Sequence, residues 1–145
     1  MTHQIYIDGG SRANPGPSAL GVVFAAKSGK VIKEYSQYLG KATNNQAEYQ
    51  ALIFALKKAK ALFGKAKVKK ISFIINSDSE LLVNQMKGEY KIKEPGIQKL
   101  FLEAWNLTID FGIIDFVLIP RQENRFADRL VNSALDKKAR SQKLL

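Results

Sequence analysis

Four carboxylates fall where a chain rarely places a charge. Asp8 closes the apolar run Ile5-Tyr6-Ile7 and opens the loop "DGGSRANPGP", while Asp78 closes the apolar run "ISFIIN". Glu48 lies in "TNNQAEYQAL" on the same helical row as Leu52 and Ala55, and Asp128 in "NRFADRLVNSAL" shares a stripe with Val131 and Leu135. Each has a plainer reading. Glu48 can form a capping box with Asn45, and Asp78 can cap the helix that follows it. Asp128, if unpaired on a core-facing stripe, costs several kcal/mol of desolvation, so a partner charge is expected there. Taken together, two strand ends and two core-side helix positions suggest one cluster. Four acids in one site repel and raise one another's pKa unless divalent cations neutralise them. With no cysteine in the chain and only His3 as histidine, at an end expected to fray, the donors are all oxygen. Mg²⁺ or Mn²⁺ then fits better than zinc.

The loop after Asp8 also invites a phosphate-cradle reading. It lacks the Lys-Ser/Thr ending of a P-loop and the G-x-G-x-x-G spacing, and an apolar strand pattern follows it instead of a helix. Turn formation accounts for its glycines and prolines but not for an acid at the strand end.

The elements that must position these acids read as β-β-β-α-β-α-α-β-α. "IYID", "ALGVVFAA" and "KVIKEYSQYLG" form an antiparallel meander, with Gly29 of "KSGK" turning the second hairpin. A helix is expected over 45–63, a doubly covered strand over 71–76, and a helix from "SELLVNQM" to Gly88. Another helix follows over 95–111 with Gly112 as its stop, then the strand "IIDFVLIP" and a final helix ending near 139. The alternating half requires right-handed parallel crossovers. At 145 residues the chain reads as a single domain over 1–140 with a flexible tail at 141–145. Lys and Arg number 23 against 13 Asp and Glu, a net charge of +10 that favours polyanionic partners. No 18-residue apolar run and no charged-then-apolar leader is visible, so a soluble cytoplasmic protein is expected.

Four blocks, "YIDGGSRANPGP", "TNNQAEYQAL", "SDSELLVNQMKGEYKIK" and "PRQENRFADRLVNSAL", resemble type 1 ribonuclease H in that family's order and span nearly the whole chain. The resemblance implies the ribonuclease H-like α/β fold, a five-stranded mixed sheet flanked by helices, in which the first and fourth strands lie side by side. It implies a nuclease that cuts the RNA of an RNA–DNA hybrid, leaving 5′-phosphate and 3′-hydroxyl ends. Asp8, Glu48, Asp78 and Asp128 match its catalytic, metal-binding acids, with two Mg²⁺ or Mn²⁺ ions per site when substrate is bound. Its hybrid contacts fall on Asn14, Asn44 and Asn45, with Thr43 near a DNA-strand phosphate. Backbone around Gly9, Gly10 and Ser11 is expected to meet the RNA and read its 2′-hydroxyls. A monomer is expected, and double-stranded RNA is a second candidate substrate.

Three departures stand out. The best-known bacterial branch carries a histidine before the last helix; here "IPRQENRF" leaves Arg121, Glu123 or Asn124 to substitute, and Asn124 serves equally well as a helix cap. Glu80 stands beside the groove where an amide or apolar side chain is common. No basic handle helix follows "VNQM", although Lys87, Lys91 and Lys93 lie nearby. The rival readings are a hybrid-binding module of the same fold without catalysis, a related nuclease acting on DNA, and a domain of a reverse transcriptase. Retention of all four acids argues against the first, and the "DGGSRANPGP" and "TNNQAE" blocks against the second.

Overall fold

The computed structural model describes residues 1–144. Three antiparallel strands, β1 (Thr2–Ser11), β2 (Gly16–Ala26) and β3 (Val31–Ala42), lead into α1 (Asn44–Phe63) and the single turn α2 (Lys65–Val68). Then come β4 (Ser72–Ser77), α3 (Glu80–Met86), α4 (Pro95–Thr108), β5 (Ile113–Leu118), a 3₁₀ turn at Arg121–Glu123, and α5 (Arg125–Lys143). The sheet order is β3-β2-β1-β4-β5, with β1 parallel to β4 and β4 parallel to β5. That is the mixed sheet expected, with Gly29 at φ 95° in the second hairpin. Among the described residues no helix is long and apolar enough to cross a membrane.

Strand periodicity decides which face each residue serves. Ile5 and Ile7 of β1, with Phe73 and Ile75 of β4, pack under Leu52, Leu56 and the alanines of α1. Burial of each Leu or Ile there stabilises the fold by roughly 1.5–3 kcal/mol. The opposite face of β1–β3 carries α5, seated through Ala19, Val131 and Leu135. A Cβ on Gly21 of β2 would lie 2.2 Å from the Ala127 carbonyl oxygen, so the missing side chain is what lets the start of α5 lie directly on the sheet.

Four boundaries differ from the sequence expectations. Thr43, not Asn45, caps α1: its Oγ1 accepts from the Gln46 N–H at 3.1 Å, and Gln46 Oε1 accepts from the Thr43 N–H at 2.9 Å. α4 ends at Thr108, before the expected stop. Gly112 is needed for close approach instead, since a Cβ there would meet the Lys69 carbonyl oxygen at 2.3 Å. α5 continues through Lys143, because no glycine or proline interrupts "RSQK" and Arg140 and Lys143 suit the negative end of the helix dipole. The expected tail is thus helical over 141–143, while its last residue, 145, lies outside the described residues.

His3 is the fourth. The parallel ladder extends to Thr2 opposite Ser72, so the terminus is held and His3 is buried, its ring stacked 4.9 Å from that of Phe63. Burial, with the nearby N-terminal ammonium, holds its pKa below the usual 6.5. The unfolded chain then binds the proton more readily, so this contribution to stability is present above pH 6.5 and is lost as pH falls through the folded value. His3→Phe keeps the stack, and the expected outcome is a flatter melting temperature between pH 5 and 7 than in wild type; parallel pH profiles would contradict it.

Candidate active site

Because Ile5 and Ile7 face α1, Asp8 and Gly10 point to the α5 side, where a Cβ on Gly10 would touch Val131. Asp78 follows the last residue of the parallel neighbour β4, and Ser79 caps α3 by accepting from the Leu82 N–H at 3.2 Å. The cap expected of Asp78 is therefore supplied by its neighbour, leaving its carboxylate available. Glu48 is likewise not in the capping box. Its Oε1 accepts a hydrogen bond from the Gly9 N–H, which draws it under the end of β1. Asp8, Glu48 and Asp78 each offer an oxygen, all within 4.8 Å of one another.

Asp128 joins the same cleft in a different manner. The buried stripe of α5 is Ala127, Val131 and Leu135, and Asp128 sits one residue round from it, exposed at the rim. The partner charge expected from burial is not needed, since water solvates the carboxylate. It still acts on Asp8 through its charge.

The electrostatics follow from this crowding. Burial, then the charges of Asp78 and Asp128, push Asp8 up to about 8. Burial, then Asp8 and Asp78, raise Glu48. Burial also raises Asp78, opposed chiefly by the Arg121 guanidinium. Converging hard oxygen donors held at an energetic disadvantage without a cation are the donor set of Mg²⁺ or Mn²⁺.

Around the acids, a polar lattice ties the β1–β2 loop to the start of α1. The Asn44 N–H donates to Asn14 Oδ1 at 3.0 Å, and the Ser11 N–H donates to Asn44 Oδ1 at 2.9 Å. Asn14, Asn44 and Asn45 are all exposed, and their amide nitrogens donate to nothing among the described residues. The Thr43 hydroxyl accepts as the cap and keeps its own proton to donate. Gly9, Gly10 and Ser11 all line the cleft, but Gly9 is buried and its N–H is committed to Glu48.

The remaining candidates separate. Arg121 lines the cleft beside Asp78. Glu123 faces a different pocket, with Tyr6 and Phe126. Asn124 is 1% exposed and makes no side-chain cap; its Nδ2 donates to the Ile7 carbonyl at 2.8 Å and so pins the start of α5 to β1. Glu80 stays out of the acid cluster and accepts from the Tyr90 hydroxyl at 2.9 Å. Arg12 was not foreseen. It lines the cleft and pairs with Asp136 of α5 at 2.6 Å, a contact across 124 positions that no local pattern announces.

A β3-β2-β1-β4-β5 mixed sheet with acids on the ends of its central strand and that strand's parallel neighbour defines the ribonuclease H-like class of nuclease folds. The family model described as "Reverse transcriptase-like" matches residues 6–134. LC11-RNase H1, isolated from compost by a metagenomic approach, is 42% identical with a TM-score of 0.90, over 95% of this chain and 98% of that one. Its crystal structure in complex with an RNA/DNA hybrid also superimposes with a TM-score of 0.90, at 43% identity over 94% and 99% of the two chains. Ribonuclease HI of Halobacterium salinarum is 39% identical over 90% of this chain and 63% of its own length. A bifunctional protein of Mycobacterium tuberculosis is 42% identical over 94% of this chain, which spans only 36% of that relative. The chain belongs to the type 1 ribonuclease H family.

Proposed function

We propose that this chain is a metal-dependent endoribonuclease that hydrolyses the RNA strand of RNA–DNA hybrids, leaving 5′-phosphate and 3′-hydroxyl ends. The observation that carries this reading is the convergence of Asp8, Glu48 and Asp78 at the ends of β1 and β4, with oxygens within 4.8 Å. These three, with Asp128 at the rim, would hold two Mg²⁺ or Mn²⁺ ions when substrate is bound. Such ions supply activation of the attacking water and stabilisation of the departing 3′-oxygen.

The chain's own residues do the rest. The Gly9 N–H holds Glu48 in the orientation that faces the other acids. Arg121 keeps Asp78 ionised at lower pH than burial alone would allow. Gly10 and Ser11 bring bare backbone to the cleft, and the free amide nitrogens of Asn14, Asn44 and Asn45 can donate to 2′-hydroxyls that DNA lacks. Thr43, with a hydroxyl proton to spare at the N-terminus of α1, suits a phosphate of the DNA strand.

The test is cleavage of end-labelled hybrid, duplex DNA and duplex RNA in Mg²⁺, Mn²⁺ or chelator. The expected outcome is cutting of the hybrid's RNA strand that requires metal. Asp78→Asn is expected to lower it by about 10³-fold or more while remaining folded, since each lost factor of ten is about 1.4 kcal/mol of transition-state stabilisation. Equal activity of that variant would sink the reading, and hybrid binding without cleavage by the wild type would replace it with a binding module.

A further inference from the structure

Three of the four acids have an evident restraint. Asp8 is buried, the Gly9 N–H holds Glu48, and the Arg121 guanidinium stands beside Asp78. Asp128 is exposed at the rim of the cleft, where a carboxylate keeps its rotamer freedom unless a neighbour removes it. That neighbour is Asn132. Asp128, Asn132 and Asp136 follow one another at intervals of four along α5 and so form one row, one residue round from the buried stripe. Asn132 lines the same cleft, and its Nδ2 donates to Asp128 Oδ2 at 3.4 Å and to the Asp128 carbonyl at 3.2 Å.

A side-chain amide can be turned over, and Arg12 fixes this one. Its Nη2 donates to Asn132 Oδ1 at 3.4 Å and to Asp136 Oδ1 at 2.6 Å. A guanidinium only donates and a carboxylate only accepts. With Arg12 on one side and Asp128 on the other, the amide therefore has a single orientation in which both contacts are favourable. Arg12 is also held by its backbone, whose N–H donates to the Pro17 carbonyl at 2.9 Å and closes the β1–β2 loop. The Arg12 and Asp136 side chains are 41% and 53% exposed, so their pairing contributes little to stability and matters for orientation. At 3.4 Å the Asn132 contacts are long for hydrogen bonds, so the row steers Asp128 without clamping it.

We propose that Asn132 is a positioning residue for the fourth metal acid: Arg12, anchored on Asp136, sets its amide so that Nδ2 engages one oxygen of Asp128 and leaves the other to a divalent cation. The proposal rests on the metal-dependent reading above and concerns the residues behind the ligands. Without Asp136 the guanidinium would be released to pair with Asp128 and compete with the cation. The sign of the effect separates this role from simple charge. Coulomb attraction alone predicts that removing the Arg12 cation strengthens metal binding at the acids, whereas loss of orientation weakens it.

The test measures Mn²⁺ affinity of the substrate-free protein by titration calorimetry, and hybrid cleavage over a range of Mn²⁺. The proteins are wild type, Asn132→Ala, Arg12→Gln, Arg12→Lys, Asp136→Asn and the Arg12→Gln, Asn132→Ala double variant. Lys57→Gln, which breaks the exposed Lys57–Glu103 pair and removes the same charge as Arg12→Gln, is the control. Loss of the hydrogen-bonding partner of a metal ligand typically costs about 10–100-fold in metal affinity or activity. Asn132→Ala, Arg12→Gln and Asp136→Asn are each expected to weaken Mn²⁺ binding about 10-fold and to lower kcat at limiting Mn²⁺ by a similar factor, with KM for the hybrid near wild type. Arg12→Lys should recover part of the loss, and the control should match wild type. Because Arg12 acts through Asn132, the double variant should bind no worse than Asn132→Ala alone. Tighter binding in Arg12→Gln, wild-type affinity in Asn132→Ala, or additive losses in the double variant would overturn the positioning row. A wild type that binds Mn²⁺ but cuts no hybrid would defeat the functional reading alone, and the variants' affinities would still decide the row; a wild type that binds no Mn²⁺ would overturn both.

Discussion

Asp8→Asn is expected to lower hybrid cleavage by at least about 10³-fold and, in the same molecule, to make the metal-free protein more stable. The two effects have one cause. Asp8 is 7% exposed, close to Asp78 and Asp128, and pushed up to about 8 chiefly by burial and then by their charges. In the unfolded chain its carboxyl returns to about 3.9. Between those values the metal-free native state holds a proton that the unfolded state releases. The stabilisation from that proton is fully present below pH 4 and is lost as pH rises through about 8. An amide keeps the shape and removes the charge, so at pH 9 the variant is expected to be more stable by about 1–3 kcal/mol, the size of other relieved buried-charge conflicts.

Added Mg²⁺ separates this from a packing effect. Cations that bind the native acids stabilise by mass action, so the wild-type melting temperature should rise with Mg²⁺ and more steeply at pH 9 than at pH 6, where protons compete. Asp8→Asn should show little of either response. A variant less stable than wild type in chelator at pH 9 would contradict the proposed repulsion among the acids.

What the sequence disclosed of this site, and what it hid, follows from the range of the interactions. Asp8 and Asp78 were legible because a charge at the end of a buried strand is a local anomaly. The role of Glu48 was harder: "TNNQAE" reads equally as a capping box between Asn45 and Glu48, and only the Gly9 N–H, 39 positions away, shows that Glu48 is engaged elsewhere. Asp128 was found but misjudged, since one residue's rotation on α5 separates the buried stripe from the rim. The burial of His3 depends on β4 extending its ladder to Thr2, and Arg12 on a partner in the last helix. Local pattern thus revealed the elements apart from the single turn α2, and three of the acids' settings, while the contacts that orient them are long-range.

Gly9→Ala carries the largest expected loss of stability, and it separates two roles for the glycine pair. The family resemblance implies backbone approach by RNA at both Gly9 and Gly10. In the structure a Cβ on Gly9 would lie 2.2 Å from the Ala47 carbonyl carbon and oxygen and 2.5 Å from the Glu48 nitrogen. All three are helix backbone, held by the α1 hydrogen-bond ladder, so no side-chain rotation relieves the overlap. The strand and helix must part by about 1 Å or more, which breaks the Gly9–Glu48 hydrogen bond and disturbs the packing of Ile7 against α1. Overpacking of a close-packed contact costs typically about 1–3 kcal/mol, and the added loss of a buried charge-assisted hydrogen bond places the expected destabilisation at about 3–5 kcal/mol. Displacement of Glu48 by that distance should also lower kcat about 10²-fold in whatever fraction remains folded. Gly10→Ala is the comparison: its Cβ would meet only Val131 Cγ1 at 3.4 Å, an ordinary contact, so its stability should stay within about 1 kcal/mol of wild type. Denaturant unfolding of the two variants decides the matter. A large loss confined to Gly9→Ala assigns that glycine to the approach of α1 and leaves Gly10 as the one whose bare backbone faces the substrate; equal, small losses in both would return Gly9 to the substrate surface and remove the packing account of how Glu48 is held.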